Sequence, residues 1–345
     1  MALILGIEST CDETGASVVA DGFDVRSNVV ASQVELHAKY RGVVPEIASR
    51  AHIENILPVI REAVQGAGVT MQDTDAISVA HRPGLIGSLL IGVAAAKTLA
   101  WSLGKPLIGV DHVHAHLYSV MLEKNVTPAW PAVGLVCSGG HTALYAVKNW
   151  HDIELIGSTI DDAVGEAYDK VAAILGLGYP GGPIIDRLAA QGNPKAIRFP
   201  RTLLERDSLD FSFSGLKTAV LYHVRGVPRR GQDVKAEPLP KLSDQDLKDI
   251  AASFQAACID VLIEKLRRAA ESIGAKSVII GGGVSANRGL RDAMTRFSLP
   301  VFFPAMQYCT DNAAMSAGLA HVRYSRQQFS PLDLDAITFS GFQRT

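Results

Sequence analysis

The sequence LILGIESTCDETGASVVA at residues 3–20 has an apolar run on each side of a polar turn. Leu3–Glu8 and Gly15–Ala20 predict the two strands of a β-hairpin, because short apolar runs bounded by turn residues are typical of buried strands. The same pattern starts again in AVGLVCSGGHTALYAV at residues 132–147, where Ser138–His141 forms the turn. A repeated hairpin with a polar tip predicts two similar lobes.

Strands and helical segments alternate along the rest of the chain, which predicts an α/β protein with covered sheets. Helical spacing marks Val44–Val64, and a buried strand is expected at Ser277–Ile280. We expect the following division of the chain: an N-terminal lobe at 1–130 with the helix at about 312–330 packed back on it, a C-terminal lobe at 131–311 with a basic insertion at about 195–246, and a tail at 331–345.

The composition favours a folded protein, because 48% of the 345 residues are hydrophobic and 20% are charged. A formal net charge of −2 argues against a surface that is basic throughout, as in many nucleic-acid-binding proteins. Positive charge is instead concentrated at residues 195–241, which hold ten basic and five acidic side chains. This segment predicts either a phosphate-binding surface or a solvated insertion.

The sequence predicts no membrane span, since the longest uncharged apolar run, between Arg82 and Lys97, is shorter than the roughly 20 residues that a span needs. The first residues lack the basic start of a secretory signal. The four cysteines show no CxxC spacing. We therefore expect a cytoplasmic protein with reduced cysteines.

The segment Asp111–His116 contains three histidines. On a helix, His112 and His116 would share one face and could chelate one metal ion, whereas on a strand His114 would join them. The apolar run that follows favours the helix, so His112 and His116 are the expected pair; capping or surface histidines are the alternative. Val113 stands where the HExxH motif of metalloproteases has its glutamate.

The segment Cys309–Asn312 predicts the start of a helix, with Thr310 as its N-cap and Asp311 in its first turn. Capping would by itself account for these residues. Combined with the two histidines, however, Asp311 would complete a site of two histidines and one carboxylate, which suits iron(II) or zinc(II).

Three glycine-rich turns follow predicted strands, at 138–141, 181–183 and 281–288. Backbone N–H groups in such turns can approach phosphates closely, although an ordinary tight turn is the alternative for each. None matches the P-loop pattern, and no GxGxxG opens a first βαβ unit. Together the three turns predict nucleotide binding.

Acidic side chains recur on the predicted helix at 161–175, where Asp162, Glu166 and Asp169 share a face. Like charges at this spacing repel one another, so solvent or a ligand must compensate them. We expect Asp169 to hold hydroxyl groups of a ribose or another substrate. A second acidic group follows the first strand, at Glu8, Asp12 and Glu13.

These segments, taken in order, resemble the tRNA threonylcarbamoyladenosine transferase family (TsaD-like), formerly described as O-sialoglycoprotein endopeptidases or glycoproteases. The length is similar to that of the bacterial branch. The matching stretches are Gly6–Thr14, Val44–His52, Pro83–Gly87, Asp111–His116, Ser138–His141, Asp161–Lys170, Tyr179–Pro183, Phe211–Lys217, Gly281–Arg288 and Cys309–Asn312.

The resemblance implies the two-lobed fold of the actin, Hsp70 and sugar-kinase (ASKHA) superfamily, with duplicated βββαβα-type lobes. It implies transfer of a threonylcarbamoyl group from threonylcarbamoyl-adenylate to the exocyclic amine of adenosine 37, in tRNAs that read codons beginning with adenine. It also implies one divalent metal ion, iron(II) rather than zinc(II). The implied partners are a paralogous subunit of the same fold (TsaB-like), a small P-loop ATPase (TsaE-like) and the upstream synthase that makes the adenylate.

The resemblance assigns site residues but no general base, and a metalloprotease, a nucleotide-binding switch and a sugar kinase remain alternative functions. The implied metal ligands are His112, His116 and Asp311. The residues implied to contact the adenylate or an adenine nucleotide are Val136, Cys137, Ser138, Gly139, Gly140, Asp169, Gly182, Asp186 and Asn287, with Asp12, Gly281, Gly282 and Gly283 in the phosphate and nucleotide loops.

One position departs from the family, which has glycine where this chain has Arg82, before Pro83 and Gly84. A side chain at this position cannot cheaply adopt a conformation that only glycine favours. Either the local turn differs here, or the family's glycine is not required for a positive φ.

Overall fold

A computed structural model describes residues 1–123, 127–205, 207–227 and 242–339. Two five-stranded sheets form its framework. The first contains β1 (Leu3–Glu8), β2 (Glu13–Ala20), β3 (Asp24–Ser32), β4 (Ala76–Arg82) and β5 (Leu107–Asp111), and the second contains β6 (Ala132–Cys137), β7 (Thr142–Asn149), β8 (Asp152–Ser158), β9 (Ser277–Gly281) and β10 (Val301–Phe302).

The two sheets have the same strand order, β3-β2-β1-β4-β5 in one and β8-β7-β6-β9-β10 in the other. In each, the predicted hairpin is antiparallel, and its first strand pairs in parallel with the fourth strand of the sheet. The short apolar runs of β1 and β6 are buried along their whole length, as expected for central strands covered on both faces. The duplicated lobes predicted from the repeated hairpin are confirmed.

Ten α-helices within the described residues cover the sheets. They are α1 (Val34–Ala38), α2 (Pro45–Gly66), α3 (Ile86–Leu103), α4 (His112–Tyr118), α5 (Val164–Ile174), α6 (Gly181–Ala189), α7 (Ser214–Arg225), α8 (Asp244–Ile273), α9 (Arg288–Met294) and α10 (Ala313–Tyr324).

Helix α10 lies against the first sheet although the chain reaches it from the second. Its Ala314 and Ala317 belong to one buried cluster with Ile4 of β1 and Val19 of β2. Asn312, which precedes this helix, therefore lies at the end of the first sheet, where β5 is followed by α4.

Among the described helices, α3 is the one long and apolar enough to cross a membrane by length and composition. Its small and apolar face, which includes Leu89, Val93 and Ala96, is buried against α2 and β4. Small residues allow this close packing, so α3 is a core helix of the first lobe.

Two local predictions are wrong. Gly181–Pro183, predicted as a turn, forms the first turn of α6, where proline is tolerated because the first N–H groups of a helix have no partner within it. The helix predicted at 161–175 begins only at Val164, so Asp162 lies outside it and does not share its face. Asp162 instead pairs with Lys170 and Lys217.

Candidate metal centre and substrate cavity

The two predicted histidine ligands lie on α4, which begins directly after β5. The Asp111 carboxylate accepts the N–H groups of Val113 and His114 and so caps this helix. The spacing of four residues puts His112 and His116 on one face, with ring centroids 4.6 Å apart. His114 points elsewhere, and its ring packs edge-on against Tyr145.

Asp311 reaches these histidines from the last residues before α10. Asn312, not the predicted Thr310, caps this helix, because the Asn312 side chain accepts the N–H of Met315 at 3.1 Å. Asp311 thus lies just outside the helix. Its Oδ1 atom is 3.0 Å from Nε2 of His116 and 3.6 Å from Nε2 of His112.

The three side chains form a group that can hold a divalent metal ion. One ligand atom from each lies within 4.8 Å of the others. The ring of His116 is fully buried, and its Nδ1 atom has no hydrogen-bond partner among the described residues. The Nε2 atoms of both histidines face the same Asp311 oxygen, and this convergence of three donor atoms fits a shared metal ion better than separate structural histidines. Two imidazoles and one carboxylate suit iron(II) or zinc(II).

Glu8 and Thr10, at the end of β1, orient the ring of His112. Its Nδ1 atom lies 3.1 Å from Oε2 of Glu8 and 3.2 Å from Oγ1 of Thr10, which leaves Nε2 facing Asp311. Such a carboxylate on the far nitrogen fixes the ring of a metal-ligating histidine. Sequence reasoning assigned Glu8 no role; the signal was a charged residue that ends a fully apolar strand.

The charges in this group are strongly coupled. Burial disfavours the imidazolium form of His112, but the carboxylates of Glu8 and Asp311 outweigh burial and raise the His112 pKa to about 9. Burial likewise opposes ionisation of Asp311, yet the two histidines hold its pKa well below the usual range. Burial and the neighbouring histidines lower the pKa of His141 to about 4, so this imidazole is neutral near pH 7.

A cavity of about 880 Å³ opens beside the group, between the two lobes. Most of the residues predicted to bind substrate line it, whereas Val136, Cys137, Gly281 and Gly282 lie in or directly after the buried ends of β6 and β9. The predicted residues along the cavity are Asp12, His112, Ser138, Gly139, Gly140, Asp169, Gly182, Asp186, Gly283, Asn287 and Asp311.

The turn at 138–141 is hydrogen-bonded to the start of α5. The Ser138 hydroxyl accepts the N–H of His141 at 3.1 Å, and the Ser138 carbonyl accepts the N–H of Gly165 at 3.1 Å. A Cβ atom added to Gly139 or Gly140 would meet no protein atom within 4 Å. Both glycines therefore present bare backbone to the cavity.

The carboxylates farther along the cavity are partly engaged by the protein. Asp169 accepts the N–H of Gly181 at 2.7 Å, at the start of α6, and burial raises its pKa. Asp186 accepts from Gln255 at 3.0 Å, and Gln255 also accepts from the amide of Asn287 at 2.8 Å. This chain of hydrogen bonds ties α6, α8 and the start of α9 together along one wall.

Two glycines at the end of β9 serve the packing of the lobes. A Cβ at Gly281 would overlap the carbonyl oxygen of His116, and a Cβ at Gly282 would lie 2.5 Å from the carbonyl oxygen of Cys137. Gly282 also has a φ of 88°, which side-chain-bearing residues rarely adopt. These two glycines let β9 approach α4 and β6.

Arg82 is the last residue of β4 and has no positive φ. The local turn therefore does not require a glycine here. Its Nε atom lies 3.2 Å from Oδ2 of Asp111, so this side chain reaches the residue that caps α4.

The predicted basic segment is only partly described. Arg206 and residues 228–241, which include Arg229, Arg230, Lys235 and Lys241, lie outside the described residues. Of the remainder, Arg201 pairs with Asp260 at 2.9 Å.

Comparison with known proteins identifies a family for this chain. A family model for tRNA N6-adenosine threonylcarbamoyltransferase (TsaD) matches residues 24–318. A relative of that name from Moorella thermoacetica is 52% identical over 338 residues, which cover 97% of this chain and 95% of the relative. Another, from Symbiobacterium thermophilum, is 52% identical over 343 residues, 98% of this chain and 96% of the relative.

Solved structures with low sequence identity share the fold. HypF from T. kodakarensis has a TM-score of 0.60 at 16% identity, over 95% of this chain and 48% of that protein. Component A of (R)-2-hydroxyglutaryl-CoA dehydratase from Acidaminococcus fermentans has a TM-score of 0.53 at 14% identity, over 94% of this chain and all of that one. The expected two-lobed ASKHA fold is confirmed, and by its sequence the chain belongs to the tRNA N6-adenosine threonylcarbamoyltransferase family, whose members form N6-threonylcarbamoyladenosine in tRNA.

Proposed function

We propose that the donor in this reaction is threonylcarbamoyl-adenylate and that the acceptor is the exocyclic amine of adenosine 37, in tRNAs that read codons beginning with adenine. The observation that carries the proposal is the group of His112, His116 and Asp311 beside a cavity between the lobes. A volume of about 880 Å³ is in the range of cavities that hold a nucleotide-sized ligand.

In the proposed acyl transfer, different residues around the cavity have different roles. In our proposal His112, His116 and Asp311 would hold iron(II) in preference to zinc(II), and such an ion would supply Lewis acidity beside the cavity. The N–H groups of 138–140 stabilise the negative charge that develops as the amine attacks. The adenylate is bound by Asp169, Gly182, Asp186 and Asn287. The loops around its phosphate and nucleoside are formed by Val136, Cys137, Asp12 and Gly281–Gly283.

We propose three protein partners: a paralogous subunit of the same fold, a small P-loop ATPase and the synthase that makes the adenylate. An apolar surface supports the first of these. Ile53 and Leu57 on α2 are 60% and 62% exposed, and Ile86 and Leu90 on α3 are 49% and 47% exposed. Since α2 and α3 pack together, these four side chains offer an apolar face to another helical subunit.

We also propose that the lobes comprise residues 1–130 and 131–311, with a tail at 331–345, and that the protein works in the cytoplasm. The packing of α10 on β1 and β2 supports its assignment to the first lobe. Arg198 and Lys195, on the described part of the basic insertion, are candidates for contact with the tRNA backbone.

Reconstitution tests the proposal. Labelled threonine, bicarbonate, ATP, tRNA, the upstream synthase and the two helper proteins are combined with and without this chain. We expect label in tRNA only when the chain is present, and a tRNA with another base at position 37 should stay unlabelled. Label that appears without the chain would refute the assignment, and clean cleavage of a glycoprotein by the pure protein would support the metalloprotease alternative.

A further inference from the structure

Glu13 stands out because one of its carboxylate oxygens is buried beside the cavity without a partner. Its Oε1 atom accepts the hydroxyl of Ser32 at 2.8 Å, which fixes the side chain. Its Oε2 atom is buried and has no hydrogen-bond partner among the described residues. Glu13 also lines the cavity. An unpaired buried acceptor is costly, so its retention at a substrate cavity calls for a ligand that donates to it.

The backbone around Glu13 is held in place from several sides. His52 of α2 hydrogen-bonds the Thr14 hydroxyl at 2.8 Å and the Cys11 carbonyl at 3.0 Å. The Asp12 carbonyl accepts the N–H of Gln33 at 3.1 Å. A carboxylate on so rigid a turn keeps a fixed position, as a group that acts on a substrate must.

The neighbouring carboxylate of Asp12 is a weaker candidate for the same role. It also lines the cavity, and burial raises its pKa, but the thiol of Cys11 already hydrogen-bonds to this carboxylate. Of the two carboxylates, only Glu13 has a buried oxygen without a hydrogen-bond partner among the described residues, and this distinguishes it from Asp12.

Resting on the proposed function, we infer that Glu13 accepts the proton of the attacking adenosine amine. As N6 forms its bond to the carbamoyl carbon, the bond from that carbon to the phosphate oxygen breaks and adenylate leaves. One N6 proton passes to Oε2 of Glu13 in the same step. The product is the neutral carbamoylated amine, and Glu13 returns its proton to solvent afterwards.

The electrostatics of the turn suit this role. Burial, with the charges of Asp12 and Asp311, raises the pKa of Glu13 to about 7 against the opposing hydrogen bond from Ser32. Tyr179 also lines the cavity and lies close enough for the charge of Glu13 to act on it. A general base is most effective when its pKa lies near the working pH.

The test is single-turnover transfer from saturating labelled threonylcarbamoyl-adenylate to tRNA, with the whole protein and its helpers. We expect Glu13→Gln to lower the rate about 100-fold or more, while adenylate affinity and metal content stay within about twofold. Wild-type rates should fall below about pH 7, and Glu13→Gln should lack that acid limb. Glu35→Gln, an exposed site on α1 with the same change of charge, should behave as wild type.

Each outcome decides the inference. A Glu13→Gln rate within threefold of wild type, or a loss of adenylate affinity equal to the loss of rate, overturns it. If Glu13→Gln does not fold, Glu13→Asp is used instead. This variant must transfer more slowly than wild type but keep the fall in rate at acid pH. Loss of that fall overturns the inference. Wild-type protein that transfers no label would instead refute the proposed function itself.

Discussion

The two hairpin turns of this molecule occupy equivalent places in the two sheets but carry opposite chemistry. In the first lobe the paired strand residues Glu8 and Gly15 enclose residues 9–14, and in the second Cys137 and Thr142 enclose only 138–141. The longer turn contains acidic and hydroxyl side chains, and His52 of α2 hydrogen-bonds to it. The shorter turn presents backbone N–H groups that no side chain covers at Gly139 and Gly140. The duplicated scaffold thus supplies charged side chains from the turn of the first lobe and neutral backbone donors from the turn of the second.

The largest effect should come from the first lobe. His116→Ala removes a ligand, so we expect bound metal to be lost and transfer to fall at least about 100-fold, because even partners of metal ligands cost 10–100-fold when removed. Elemental analysis and the transfer assay measure both. His114→Ala on the same helix is the matched control and should keep its metal. If His116→Ala retained metal and activity, the assignment of the metal ligands would be wrong.

Glu8→Gln tests whether the first lobe also supplies the orienting group. Because glutamine provides a weaker acceptor for Nδ1 of His112, we expect metal affinity to fall about 10–100-fold. Competition with a chelator measures the change. Unaltered affinity would mean that Thr10 alone orients the ring.

Gly281→Ala tests the close backbone packing in the second lobe. The new Cβ would overlap the carbonyl of His116, and crowding of this kind costs about 1–3 kcal/mol of unfolding free energy. Gly139→Ala has open space and should cost less than about 0.5 kcal/mol. Urea unfolding measures the loss of unfolding free energy in both variants. Equal losses in Gly281→Ala and Gly139→Ala would contradict the packing role of Gly281.

The last effect is a pH dependence of stability that should arise in the second lobe. Lys265 is fully buried, donates to the carbonyls of Leu203 and Ser208, and burial lowers its pKa to about 8. The unfolded chain then binds more protons between about pH 8 and 10.5, so stability should rise with pH there by at most about 1.4 kcal/mol per unit. Lys265→Met should flatten this rise and leave metal binding unchanged. If the stability of the variant rose with pH as in the wild type, Lys265 would be excluded as the source of the rise.

Local patterns predicted much of the fold and part of the site. Alternation of apolar and polar residues marked both hairpins, and the helical spacing of His112 and His116 was enough to predict the ligand pair. Helix ends were less predictable: both Thr310 and Asn312 are good caps, and only the packing of α10 selects Asn312.

By itself the sequence determined the repeat of two lobes, the helical histidine pair and the family, because each is recognised from short motifs whose own residues are close together along the chain. Only the tertiary structure decided which distant side chains complete the site. Asp311 meets His116 across 195 residues, and Glu8 meets His112 across 104. The same holds for the open oxygen of Glu13. Such contacts depend on how α10 and the two sheets pack, and no local pattern encodes that packing.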